Sequence, residues 1–327
     1  MIEDLLPKMV SEKLTNQKYQ MTIKEIRCVH CNSEYCVKNG HKNGTQRYKC
    51  KNCNSFFSIT SNTILNHSTL SYEKLIKFIE CLLNCYSIEK TSFETGLSKS
   101  EVYKMRIKIL NILFNFYQDI ILHEIVQVDE KYVRISFKGT RANKMPRKSR
   151  RNGFQDRTSG ISKEQVCIIV AIDSHDNIII KVAGNGPATT KMIENSLQNK
   201  IERNSILVTD SKSSYIKFAN DNSLILKQIP HGKHLVDEIY HLGELNSLMS
   251  ELEIFLQNFR GLSTRHLQEY LELFRFRKIL RYTVEYMKQK NEAYKFSIVQ
   301  NSKLKNTDIH NIVMPIDIKN IYNKEFT

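Results

Sequence analysis

The sequence predicts a mixed α/β domain in the second half of the chain, behind a small cysteine-rich module and a helical segment. Three observations predict it. Four of the eight cysteines fall into two C-x-x-C pairs, Cys28/Cys31 and Cys50/Cys53. Between residues 71 and 118 apolar positions recur at spacings of three and four, the period of a helix face. From residue 124 the pattern turns to short runs rich in Val and Ile, interrupted by an amphipathic stretch.

Residues 1–24 read as a polar leader. The module at 25–60 is turn-rich, with Asn39-Gly40 and Asn43-Gly44. Its pairs, C28-V-H-C31 and C50-K-N-C53, are separated by 18 residues. Each pair suits a tight turn with both thiolates facing one ion, and four thiolates make a closed tetrahedral site with no position left for water. The expectation is a structural zinc in a zinc ribbon, held by Cys28, Cys31, Cys50 and Cys53. Cys36, His30 and His41 lie nearby without paired spacing. Arg47 and Lys49, with Lys38, Lys42 and Lys51, give the module a basic face suited to phosphate.

Residues 68–118 read as a helix-turn-helix segment. Leu75, Ile76, Ile79, Leu82, Leu83 and Tyr86 mark the first helical stripe. A short segment ends at Gly96, and Ser98 or Ser100 can cap the helix that follows. Cys81 and Cys85, one helical turn apart, read as small core groups, as does Cys167 in the apolar run VCIIVAI.

Residues 124–290 carry the α/β pattern. EIVQVDEKYVRIS alternates as a strand, QVCIIVAIDSHDNIIIKVAG is a hairpin, TKMIENSLQNKI a helix, and NSILVTDS a short buried strand. LNSLMSELEIFLQNF and STRHLQEYLELFRFRKIL are amphipathic helices. This order is compatible with an RNase H-like mixed sheet. Residues 291–327 read as a polar tail without a core pattern.

Two acids close apolar strands: Asp129 in IVQVDEKY and Asp210 in SILVTDSK. Each alone is an ordinary cap or turn residue. Together, at strand ends of one α/β domain in a basic protein, they suit Mg²⁺ or Mn²⁺, which take carboxylate oxygens and keep other positions for water and phosphate. Two such ions about 3.5–4 Å apart can activate an attacking oxygen and stabilise a leaving one. Asp173 opens the hairpin turn and reads as a turn residue. The stretch Arg134–Lys163 holds ten Lys or Arg and one acid, so Arg147, Lys148, Arg150 and Arg151 are candidate phosphate contacts.

Lys plus Arg number 49 against 34 Asp plus Glu, a net charge of +15, which favours a polyanionic partner. No apolar run approaches the roughly 18–20 residues of a membrane span, and no export signal is visible. Double-stranded DNA becomes the expected partner, and a cytoplasmic, nucleoid-associated protein the expected setting.

In order, VDEKYVRISFKG, the basic stretch, GISKEQVCIIVAIDSHDN, LVTDSKSSY and YHLGELNSLMSELEIFLQNFRGLSTRHLQEYLELF resemble the catalytic domain of bacterial insertion-sequence transposases of the ISXO-like group. RYKCKNCNSFFSITSNT and the helices after it resemble the same proteins, so the likeness spans roughly residues 25–280. It implies a DNA transposase that binds the element's terminal repeats and cuts and rejoins strands by two-metal-ion phosphoryl transfer. The family's catalytic set is two Asp, an Asn or Glu at a helix start, then usually a Lys two turns later. Carried over, these fall on Asp129, Asp210, Asn246 and Glu253, where Glu replaces the Lys; Met249 stands where a His is usual. Asn246 and Glu253 are seven apart, so both can face one site. His241 opens the YHLGELN stretch and is a candidate for proton transfer or phosphate contact. Paired DNA ends fit a homodimer. The Glu253 and Met249 departures support an alternative, a transposase-derived DNA-binding protein without chemistry.

Overall fold

The computed structural model describes residues 26–42, 45–58, 61–64, 70–117, 120–141, 145–147, 160–259, 261–299 and 304–322. The leader at 1–24, the Asn43-Gly44 turn, and Lys148, Arg150 and Arg151 of the basic stretch lie outside the described residues. The chain divides into two compact units, one of residues up to Ile112 with Arg277–His310, the other of Leu113–Phe276 with the residues from Asn311 on.

In the first unit, β1 (Cys36–Lys42), β2 (Thr45–Cys50) and β3 (Phe56–Ser58) form an antiparallel three-stranded sheet. Its small core is Ile26, Cys28, Tyr48, Cys50 and Phe57, with the Tyr48 and Phe57 rings stacked at 5.6 Å. Three helices follow, α1 (Tyr72–Leu83), α2 (Ile88–Thr95) and α3 (Lys99–Phe116). Serines start all three. Ser71 and Ser87 accept the N–H of Lys74 and Lys90, and Ser98 forms a reciprocal pair with Glu101, each side chain taking the other's N–H. Gly96 closes α2 at φ 69°, a left-handed conformation that costs glycine nothing. The expected stripe is corrected at one point. Cys85 adopts φ 56°, so α1 ends before Tyr86. Buried Arg106 bonds the Tyr86 carbonyl at 2.7 Å and Thr91 Oγ1 at 3.0 Å, which ties the α1–α2 connection to α3. Beyond residue 290 the composition gave no core pattern, yet α8 (Tyr286–Val299) packs on α1 and buries Ala293 and Phe296.

The second unit is built on a five-stranded sheet of β4 (Ile125–Arg134), β5 (Gln165–Asp173), β6 (Ile178–Asn185), β7 (Ile206–Asp210) and β8 (Ile225–Ile229). Its order is β6-β5-β4-β7-β8. β4, β5 and β6 are antiparallel, whereas β7 runs parallel to β4 and to β8. That mixed order, with helices on both faces, is an RNase H-like α/β arrangement. Val166–Ile172 of β5 are all buried, which is why this strand reads as an unbroken apolar run. One face carries Val126, Val128, Ile169, Ala171 and Leu207 against residues of α4 (Thr190–Leu197) and α5 (Ser214–Asp221). The other face receives α6 (Gly243–Gln257), packed on β4 and β5. At the start of α7 (Leu267–Thr283), Gln268 donates to the Ile180 carbonyl at 2.9 Å and accepts the Val182 N–H at 2.7 Å. Ile316 and Ile318 of this unit, and Ile309 of the first, are also buried, in the stretch expected as a tail.

Candidate active site and metal centre

The two cysteine pairs fold as twin knuckles. Within each, the first Cys N–H donates to a serine carbonyl five residues on, Cys28 to Ser33 at 2.8 Å and Cys50 to Ser55 at 3.0 Å. The residue after each second Cys is Asn, Asn32 at φ 59° and Asn54 at φ 56°; Asn tolerates this left-handed turn. The four Sγ atoms lie within 4.8 Å of one another, with Cys28–Cys53 at 3.6 Å and Cys31–Cys50 at 3.5 Å. Zinc–thiolate bonds of about 2.3 Å in a tetrahedron place sulfurs roughly 3.8 Å apart, so the set fits a zinc ion. Backbone N–H groups of Cys53 and Asn52 favour the thiolate at Cys50 and draw its pKa down to about 6. Cys36 instead donates to the Ser33 carbonyl at 3.4 Å, and neither His30 nor His41 belongs to the cluster. On the opposite side of β2, Arg47 and Lys49 sit over the exposed Phe56 ring at 4.9 and 5.7 Å.

In the second unit the sheet positions the acids. Gln127 pairs with Val208 in the parallel β4–β7 ladder, so two residues on Asp129 and Asp210 stand side by side where β7 ends. Strand alternation turns Gln127, Asp129 and Lys131 toward α6, and Val126, Val128 and Glu130 toward α4 and α5. Lys212, just past β7, reaches this point. Its Nζ lies 3.8 Å from Asp129 Oδ1 and 3.3 Å from Asp210 Oδ2, and it contacts Glu130 Oε2. The two aspartates therefore share one small volume. Gln228 of β8 fixes the turn by donating to the carbonyls of Asp210 at 2.9 Å and Lys212 at 2.8 Å. Burial, with the Glu130 and Asp210 carboxylates, pushes Asp129 up to about 6 against the pull of the Glu130 N–H and Lys212. Burial also opposes the charge on Lys212, but Glu130, Asp210 and Asp129 outweigh it and hold the ammonium protonated well above its ordinary range.

Helix α6 runs along β4. Gln127 contacts Glu244 and accepts the Leu245 N–H at 3.1 Å; Lys131 pairs with Glu253 at 2.5 Å. Nine helical residues rise about 13.5 Å and four strand residues about 13 Å, so the elements keep step and the middle of α6 passes Asp129. Asn246 is exposed in the first turn of α6 and its N–H bonds the Leu242 carbonyl at 2.9 Å; it is a helix residue, not the cap. Met249 is buried. His241 Nδ1 accepts the Gly243 N–H at 3.1 Å, which ties its ring to the helix start. Asp173 is a turn residue, as read: it accepts the N–H groups of His175 and Asn177 at 2.9 and 2.8 Å. Arg147 sits over the buried Phe137 ring at 5.6 Å. Lys212 and the buried Glu130 were not singled out from sequence. The run VDE does contain Glu130, but only the parallel pairing of β4 with β7 brings Lys212 to it.

Paired carboxylates where β7 ends beside the central strand of a mixed sheet, partly open to solvent and attracting a cation, define an acidic site suited to a hard divalent ion. Residues 121–278 match the ISXO2-like transposase domain. An uncharacterised protein in the transposable element ISH50 of Halobacterium salinarum is 26% identical over 256 residues, covering 77% of this chain and 85% of that protein. On these matches the segment is similar to insertion-sequence transposase domains of the ISXO2-like family. Among solved structures, the Mos1 strand transfer complex aligns at 15% identity over 73% of this chain and 82% of that one, with a TM-score of 0.29. A pre-cleavage Mos1 transpososome covers the same shares at 12% identity and a TM-score of 0.23. At those scores the fold rests on the strand order alone. Among the described residues, no helix is long and apolar enough to cross a membrane.

Proposed function

We propose that the chain is a DNA transposase that binds terminal repeats and cuts and rejoins DNA strands, with Asp129 and Asp210 as the ligands of the catalytic metal. The observation that carries this reading is their convergence on one point where β7 ends beside the central strand β4, in a segment that matches a transposase family model. Mg²⁺ or Mn²⁺ bound there would supply charge stabilisation at the phosphoryl oxygens. Asn246, on the helix that passes Asp129, offers a neutral carbonyl as a third, weaker ligand. Glu253 is engaged by Lys131 rather than turned to the acids, so the cation expected on the helix is supplied from the strand, two residues beyond Asp129 on the same face. Lys131 is thereby placed to meet a DNA phosphate at the rim. Cys28, Cys31, Cys50 and Cys53 hold a structural zinc. The ribbon, with Arg47 and Lys49, and a helix-turn-helix of α2 and α3 about Gly96 contact duplex DNA, as do Arg147 and the basic stretch around it; paired ends call for a homodimer.

A strand-cleavage assay on the element's flanking repeats, with and without Mg²⁺, tests the reading. Asp129→Asn and Asp210→Asn are expected to abolish cleavage while the gel-shift affinity for the same duplex stays within a few-fold, since each swaps a charged ligand for an amide of the same shape. A wild-type protein that binds the repeats but never cuts them is instead the transposase-derived DNA-binding protein without chemistry.

A further inference from the structure

Three carboxylates drawn from both faces of the sheet meet at a single ammonium. Lys212 Nζ stands within 4 Å of Asp129 Oδ1 and Asp210 Oδ2 on the α6 side, at 3.8 and 3.3 Å, and touches Glu130 Oε2 on the α5 side. The Glu130 side chain is fully buried, and its other oxygen accepts the Tyr215 hydroxyl at 2.9 Å. Lys212 itself keeps 38% of its side chain in solvent, so it has room to turn. Its backbone is held on both sides, by Gln228 at the carbonyl and by Asp210 Oδ1, which accepts the Lys212 N–H at 3.3 Å.

We propose that Lys212 is a tethered placeholder for the divalent ion: its ammonium neutralises Asp129 and Asp210 until a dication arrives, then retracts onto Glu130. The proposal rests on the metal-binding role given above to the two aspartates. An ammonium at that distance and a dication on the same oxygens repel each other strongly in a half-buried site, so both cannot keep the same ligands. Glu130 is the retreat because a buried carboxylate stripped of its partner is costly, whereas the aspartates gain a new cation. Lys212 therefore pivots about Glu130 instead of leaving it. The site is weak for metal while it is empty of substrate. A DNA phosphate that shares the ammonium with Glu130 holds it off the aspartates, so metal and DNA bind cooperatively. Lys212 acts as a positioning residue.

Calorimetric titration of the full chain with Mn²⁺ tests this. Lys212→Met is expected to bind Mn²⁺ at least about tenfold more tightly than wild type, because a positive charge beside the ligands is gone. Lys212→Arg keeps the charge and stays close to wild type. Equal or weaker Mn²⁺ binding by a Lys212→Met protein that still melts cooperatively overturns the proposal. A second measurement needs no variant. Acetylation of the wild-type protein, read by mass spectrometry, should fall at Lys212 when Mn²⁺ is added, as the ammonium withdraws onto the buried Glu130, and stay unchanged at Lys227, which is paired with Asp237. Unchanged labelling at Lys212 overturns the proposal too. If Asp129→Asn and Asp210→Asn leave the wild-type isotherm intact, the metal reading of the site fails along with it. If they abolish binding while Lys212 is silent, the placeholder alone fails.

Discussion

Asp129 binds its proton more tightly than an exposed aspartate, because burial and two neighbouring acids disfavour its charge. Its pKa is raised in the fold from the ordinary 3.8 to about 6, so between these values the folded protein holds a proton that the unfolded chain has released. Stability is then greatest below the window and is lost as pH rises through it. With 26% of the side chain exposed, the loss is about 2 kcal/mol in the metal-free protein. Urea melts with chelator present, at pH 4 and pH 6.5, are expected to show Asp129→Asn gaining on wild type at the higher pH. An identical difference at both would refute the burial account. Asp210 ends β7 as the sequence predicts, whereas Asp129 does not close its strand: β4 runs on through it to Arg134, because the alternating EKYVR keeps pairing with β5. Lys212 was not legible, since TDSKSS reads as a polar turn until two parallel strands bring it to Asp129. Glu253 was legible only as a departure; its partner Lys131 lies 122 residues away and depends on the register of a helix against a strand.

The ribbon was the element most fully written in the sequence, since the C-x-x-C-Asn run occurs twice and each copy folds into the same turn. No apolar core of five residues holds so small a module by itself, so zinc and folding are expected to be linked. Metal analysis should find about one zinc per chain, and stripping it with a chelator should collapse the amide signals of residues 26–58 while the large sheet keeps its own. Loss of zinc without change in those signals would show the cysteines to be dispensable for the fold. Strand β8 escaped the sequence reading because ILKQI, at the sheet border, is half polar and carries little of the core. The end of α1 escaped for another reason: the left-handed Cys85 breaks a stripe that hydrophobic spacing carries on to Tyr86. Residues beyond 290 bury isolated side chains such as Phe296 and Ile309, too sparse to set a period.

At the scale of the molecule the net charge of +15 speaks for a polyanion without saying which groups meet it. If DNA is held at roughly 6–10 phosphates, affinity should fall about 10³–10⁵-fold between 50 and 200 mM salt. Replacing Arg147, Lys148, Arg150 and Arg151 with Ala should flatten that slope in fluorescence-anisotropy titrations. A slope unmoved by the four changes would assign the affinity to other cations, Arg47 and Lys49 first among them.

Gln268 presents an amide to β6 as a neighbouring strand would present its backbone, taking one N–H and one carbonyl from the border of the sheet. Borders of this kind recruit other chains when left open. With Gln268→Ala, the buried Ile180 carbonyl and the partly buried Val182 N–H lose their partner, the first at a cost of about 1–3 kcal/mol, and β6 becomes a template on which a second copy can lay its own. The variant is expected to self-associate as its concentration rises, with light scattering climbing where the wild type stays flat. Equal scattering from both would mean that the side chain only packs there. A single glutamine would thus keep the protein from polymerising through its own sheet.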